Sequence, residues 1–144
     1  MSDDDIPLLF RYSSARLRRR ELRASFMEIV KRVAPGLKIG GLITDDRELR
    51  RLNRQFRGAD YATDVLSFPS ERGGEIAISL DRAIEQAAAH GHTAADEIRI
   101  LMLHGVLHLA GMDHETDSGE MARTEMRWRK RLGLPCGLIE RAHA

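Results

Sequence analysis

The sequence predicts a single domain of the α+β or α/β class, and three observations carry that expectation. The apolar pattern alternates between strand and helix spacing, in the order strand, helix, strand, helix, hairpin, then three helices. The 144 residues suffice to bury a core without disulfides or a structural metal. No repeat, low-complexity segment or linker divides the chain, so residues 1–144 are expected to form one unit.

The elements follow in order. IPLLFRYS reads as a short opening strand, and from Ala15 to Val33 the positions Leu22, Phe26, Ile29, Val30 and Val33 recur at helical spacing. Pro35 and Gly36 break that helix, and KIGGLIT forms a second strand weakened by its two glycines. Asp45, with Glu48 three residues on, caps the next helix, which Gly58 ends. The helical period places Leu49, Leu52 and Phe56 on its packing side, and Arg47, Arg50, Arg51, Arg54 and Arg57 on the other as an arginine ridge. ATDVLSFP and GEIAIS, separated by SERG, form a hairpin, and a helix follows from Asp81 to about His90. Thr93 caps a long helix that runs through DEIRILMLHGVLHLAG to Gly111. A last helix, opened by Asp117 and Glu120, carries Met121, Trp128 and Leu132 on one side.

No apolar run approaches the roughly 18 residues of a membrane span, so no membrane association is expected. The acidic start MSDDDIPLLF is unlike a secretory signal, and Cys136 is the only cysteine; both suit the reducing cytoplasm. Residues 1–58 carry 14 Lys and Arg against 8 Asp and Glu, residues 59–117 carry 3 against 11, and residues 118–144 carry 6 against 3. Lys31, Lys38 and Lys130 are the only lysines among 23 basic residues, and a planar guanidinium grips phosphate through two parallel hydrogen bonds. Either a polyanionic partner or a GC-rich genome accounts for that preference.

The segment LHGVLHLAGMDH holds the chemistry. His104 and His108 lie four residues apart on one helix face, within reach of a single ion. Gly111 lets the backbone turn and bring His114 beside them. Three imidazoles suit zinc, one ion per chain, although another divalent metal fits the same set; three protein ligands also leave a fourth position for water. Leu101, Val106, Leu107 and Leu109 supply a dry wall. The spacing resembles the HExxHxxGxxH signature of metzincin proteases, except that Gly105 occupies the place of the general-base glutamate. Peptide hydrolysis by that route is therefore disfavoured. Asp113 has two readings, orienting an imidazole or accepting a proton from water. Arg57, at the end of the arginine helix, either complements the helix dipole or reaches across a cleft to a reacting phosphate. Thr63, Asp64 and Ser67 lie in a strand segment with two readings: alternation points some of them toward the site, or the hydroxyls only satisfy strand ends. His90, His92 and His143 have no ligand spacing, and Cys136 reads as a small packing residue.

HGVLHLAGMDH, together with LNRQFRGADYATDVLSFP and GEIAIS upstream, resembles the YbeY family of bacterial rRNA maturation endoribonucleases, over about residues 43 to 132. The resemblance implies a zincin-like α+β domain with a small mixed sheet, about five helices and a metal site at the end of a long helix. It further implies a metal-dependent hydrolase of single-stranded RNA, acting in maturation and quality control of small-subunit ribosomal RNA. Its partners would be precursor rRNA, the small subunit and an assembly protein. Carried onto this chain, the ligands are His104, His108 and His114, and the arginine needed for RNA cleavage is Arg57. Met112 departs from the pattern, since the family more often has tyrosine there. On this reading Arg47, Arg50, Arg51 and Arg54 track the RNA backbone, and their phosphate contacts carry little sequence information.

Overall fold

The periodicities resolve into four strands and six helices among the described residues, 7–12 and 17–142 of the computed structural model. In chain order they are β1 Leu8–Phe10, α1 Arg19–Val33, β2 Lys38–Thr44, α2 Asp46–Arg57, β3 Val65–Ser70, β4 Gly73–Ser79, α3 Leu80–His90, α4 Ala94–Leu109, α5 Glu120–Arg131 and α6 Leu138–Ala142. Helix boundaries coincide with local hydrogen-bond chemistry. Asp45 accepts from the Glu48 N–H at 2.9 Å, Ser79 from Arg82 at 3.2 Å, and Thr93 from Asp96 at 3.0 Å, each satisfying an otherwise unpaired donor in a first turn. For α5 the cap is Asp117, whose carboxylate accepts from the Gly119 and Met121 N–H groups. Those two bonds hold its pKa below the usual carboxylate value.

The sheet is mixed, in the order β1-β2-β4-β3. The β1, β2 and β4 strands are parallel, and β3 returns antiparallel to β4 at the edge. One face carries most of the core, with α1 and α4 against it: Leu22, Phe26 and Ile29 meet Ile43, Ile76 and Ile78, and Ile98, Leu101 and Met102 complete the layer. The other face is only partly covered, by α2 through Leu49 over Leu66 and Ala77. Helix α4 is buried on nearly every side, as an apolar helix in the middle of a domain must be. No helix of the described residues is long and apolar enough to cross a membrane.

Four details differ from the sequence expectation. The described residues hold one helix more than expected, because α6 has only five residues, too few for a periodic signal. Helix α1 begins at Arg19 rather than Ala15: Leu17 and Arg18 are not helical, and the Arg18 side chain does not cap the start. Residues 15 and 16, Ile6 and Ser13 at the ends of the opening strand, and His143 lie outside the described residues. The glycines of β2 lie in an inner strand, where one of them serves packing: a side chain on Gly41 would come within 2.9 Å of Leu8 and 3.1 Å of the Phe26 ring. Phe56 is on the packing side of α2, against Phe68, but is 60% exposed there. Asn53 takes the buried position beside Leu49 instead, and its side-chain amide donates to the Tyr61 carbonyl at 3.0 Å.

Phe26 is fully buried in the space that Gly41 leaves free. Phe26→Ala is expected to cost about 3–5 kcal/mol in urea unfolding, because backbone on the facing strand cannot collapse into the void. A loss below about 1 kcal/mol would show that α1 packs less tightly on the sheet than this contact indicates.

Candidate metal centre

The histidine segment ends α4 as its spacing predicts. The Gly111 N–H bonds to the His108 carbonyl at 3.0 Å and the Met112 N–H to the Leu107 carbonyl at 3.1 Å, while Gly111 sits at φ 96°. This paired closure needs a left-handed residue and suits glycine. It reverses the chain so that His114 faces His104 and His108, with ring centroids 5.3 Å from each and 4.7 Å between those two. One nitrogen from each of the three lies within 4.8 Å of the others, and no other such cluster occurs among the described residues.

Hydrogen bonding shows which nitrogens are available. His104 Nδ1–H donates to Glu125 Oε2 at 2.8 Å, and His108 Nδ1–H donates to the Met112 carbonyl at 2.9 Å. With both protons on Nδ1, the two Nε2 atoms present lone pairs to each other across 3.1 Å. Ligand nitrogens of a tetrahedral ion with bonds of 2.0–2.1 Å stand about 3.3 Å apart, so the pair already has the spacing that a cation imposes. Nδ1 of His114 is buried without a hydrogen-bond partner. Facing lone pairs and an unpaired buried nitrogen are costly without a cation and natural with one, so the residues fit a metal. Burial, aided by the neighbouring imidazoles of His104 and His114, holds the pKa of His108 below the ordinary histidine value, against the opposite pull of the Met112 carbonyl and Asp113. The ring stays neutral, the state in which it binds metal.

Glu125 is the residue that the sequence reading missed. It is 1% exposed, on α5, and besides orienting His104 it accepts the Ile139 N–H at 2.8 Å, tying α4, α5 and α6 together. A signal was present, since Glu125 is a carboxylate on the same helical stripe as Met121, Trp128 and Leu132. A second buried carboxylate, Glu97 of α4, meets both guanidinium nitrogens of Arg141 in α6 and His92 Nε2 at 2.7 Å. Burial would raise its pKa, and the bonds from Arg141 and His92 outweigh that, leaving it lowered. His92 thus has a structural partner. Arg141 also reaches Gln86, which donates to Asp64.

A cleft of about 450 Å³ opens over the triad, and Arg57, Asp64, Ser67 and Asp113 line it with the three histidines. Arg57 is exposed at the end of α2. Asp113 is exposed at the rim, where Oδ1 accepts the Glu115 N–H at 3.0 Å; the imidazoles are oriented by Glu125 and the Met112 carbonyl. Ser67 donates to the Gly105 carbonyl at 3.3 Å. The ridge arginines are exposed, but they are not equivalent. Arg50 grips Asp60 with two bonds, Arg54 stands 3.9 Å from the same carboxylate, and Arg51 pairs with Glu48. Among the described residues, Arg47 and Arg57 meet no carboxylate within 4.0 Å. Gly105 faces the sheet: a Cβ there would stand 2.9 Å from Ile76 Cγ2 and 3.4 Å from Ser67 Oγ. A glutamate has no room at this position, which removes the general base of the protease signature on steric grounds.

The family model described as Endoribonuclease YbeY matches residues 10–133. A protein of that name from Solibacter usitatus (strain Ellin6076) is 55% identical over 145 residues, 99% of each chain. Another, from Helicobacter pylori (strain Shi470), is 45% identical over 123 residues, covering 82% of this chain and 88% of that one. The solution structure of TM1509 from Thermotoga maritima superposes with a TM-score of 0.61 at 28% identity, covering 87% of this chain and 88% of the other.

Two outcomes follow from the geometry. Glu125→Gln keeps the side-chain shape and an acceptor for Ile139 but removes the charge behind His104, so metal affinity should fall about 10- to 100-fold in competition with a chromogenic chelator. Unchanged affinity would show that Glu125 serves packing alone. In the metal-free protein the depressed pKa of His108 makes the unfolded chain bind a proton below about 6.5 that the folded chain refuses. Stability is then complete above that pH and is lost as pH falls toward the folded pKa. Urea unfolding at pH 7.5 and 5.5 should show this drop, reduced in His108→Gln; equal pH dependence of the two proteins would assign it to other groups.

Proposed function

The chain belongs to the YbeY endoribonuclease family, and on that premise we propose that it is a metal-dependent endoribonuclease of single-stranded RNA, acting on precursor small-subunit ribosomal RNA in the cytoplasm. The observation that carries this reading is the opening of Arg57, from the end of α2, onto the same cleft as His104, His108 and His114. A guanidinium beside a metal centre is the arrangement phosphoryl chemistry requires, since charge grows on the phosphate oxygens as the bond breaks. The three histidines hold one divalent ion, and zinc suits a set of three neutral imidazoles. Such an ion supplies Lewis-acid polarisation of a phosphoryl oxygen and activation of water.

The remaining roles belong to the protein. Glu125 and the Met112 carbonyl fix the orientation and tautomer of His104 and His108, so the site is formed before RNA arrives. Arg57 neutralises the developing phosphate charge. Asp113, on the rim with a carboxylate oxygen open to solvent, accepts the proton of the attacking water. Arg47, Arg50, Arg51 and Arg54 supply affinity along the backbone, with Arg50 and Arg51 also fixing their own surroundings through Asp60 and Glu48. Because phosphate contacts carry no sequence information, the cleavage position is set by single-strandedness and by the ribosomal small subunit with an assembly protein.

The test is single-turnover cleavage of a precursor small-subunit rRNA fragment by the metal-loaded protein, with and without a chelator. Arg57→Ala should retain metal and RNA affinity while cleavage slows by about 10² to 10³, the usual consequence of losing one preorganised charged contact in the transition state. Arg57→Lys should restore little, since an ammonium lacks the planar two-point grip. If affinity and rate fall together while saturated turnover is intact, Arg57 is one more backbone contact and its catalytic role is wrong.

A further inference from the structure

Beside the metal cleft lies a second groove, of about 670 Å³, on the part of the outer sheet face that α2 leaves uncovered. Its apolar lining comes from Leu42 of β2, Ala77 of β4, Phe68 of β3, and Leu52 and Phe56 of α2. Arg57, Ser67 and Pro69 line both this groove and the metal cleft, so the two adjoin. Phe56 is 60% exposed, and Phe68 meets it edge to face, with ring centroids 5.5 Å apart and planes at 67°. An aromatic ring braced by a second ring and left largely open to solvent is a stacking platform. The groove carries one cation, Arg57, at its junction with the metal cleft, and one carboxylate, Glu75, which the metal cleft does not share.

We infer that this groove is a base subsite: it receives an unpaired base of the RNA, next to the phosphodiester at the metal cleft, stacked on Phe56. The inference rests on the endoribonuclease reading and extends it to the substrate. Charge complementarity selects the occupant. A base presents an apolar ring face and polar ring edges, and the groove answers with the Phe56 and Phe68 walls and Glu75, while Arg57 at the junction is left to the reacting phosphate. A second phosphate is repelled by Glu75, whereas the exocyclic amino group of adenine, cytosine or guanine can donate to it. Uracil lacks that group and is the least favoured base here. A partner made only of apolar side chains would leave Glu75 without a counterpart.

The experiment mixes metal-loaded protein with single-stranded oligoribonucleotides carrying 2-aminopurine at successive positions, and follows its fluorescence and the cleavage rate over a range of RNA concentration. The expected result is quenching at one position, and for Phe56→Ala a loss of that quench, with half-saturating RNA raised about tenfold or more and the saturated rate changed less. Phe56→Tyr should retain both. Glu75→Gln should reduce the preference for amino-bearing bases over uracil. Phe56 is exposed, so its variants are expected to fold, and a thermal melt verifies that. Wild-type cleavage with no quenching position, or an unchanged quench in Phe56→Ala, overturns the base subsite and leaves the endoribonuclease reading standing. A Phe56→Ala change that instead dissociates a wild-type dimer in sedimentation assigns the groove to a second copy of the chain and overturns it equally. Absence of both binding and cleavage in wild type overturns the proposed function itself, and the subsite with it.

Discussion

Helix α4 has almost no solvent face, and most of the molecule is arranged to make that tolerable. Eleven of its sixteen residues are buried. Two of them, Glu97 and His104, carry polar groups that cannot be left unpaired in a core. Each has recruited a partner from downstream, Arg141 for Glu97 and Glu125 for His104. The placement of α5 and α6 thus answers to the polar groups of α4 as well as to the apolar contacts of Met121 and Ile139. The same burial fixes His104, whose ring is held by Glu125 on one side and packed on the others, while the half-buried His108 is oriented by the Met112 carbonyl.

Legibility in the sequence followed distance along the chain. The three histidines lie within eleven residues, and helix period plus a glycine turn suffices to bring them together, so their convergence could be read directly. Arg57 stands 47 residues before His104 and Glu125 stands 21 residues after it; family resemblance supplied the first, and nothing local distinguishes the second from a surface glutamate except its place on an apolar stripe. Phe56 was misread for a different reason. Helical periodicity specifies which side of α2 faces inward, but not where the sheet beneath it stops. Helix α6 is too short to have a period, and ion pairing to a residue 44 positions earlier helps to hold it.

The arginine ridge shows how composition overstates a field. Five arginines on one helix suggest a strongly positive stripe, yet Glu48 and Asp60 draw Arg51, Arg50 and Arg54 toward themselves. Asp60 follows α2 in the loop whose Tyr61 carbonyl is anchored by Asn53, so the paired arginines also stiffen the approach to the cleft. Among the described residues, Arg47 at one end of the helix and Arg57 at the other meet no carboxylate, and of the two only Arg57 lines the cleft. Local pairing has concentrated the available charge where chemistry would use it.

The clamp between Glu97 and Arg141 also bears on how the chain folds as it is synthesised. Helix α4 and the whole sheet precede Arg141 in sequence, so they leave the ribosome while Glu97 still lacks its main counter-charge and Glu125 still lacks the Ile139 amide. An intermediate closed around an uncompensated carboxylate is penalised, so the tightly packed state is deferred until α6 has emerged. Tight packing of α4, and with it the approach of the three histidines at its end, is therefore expected to depend on the arrival of α6, which hydrogen exchange in Arg141→Ala would reveal as loss of protection in α4.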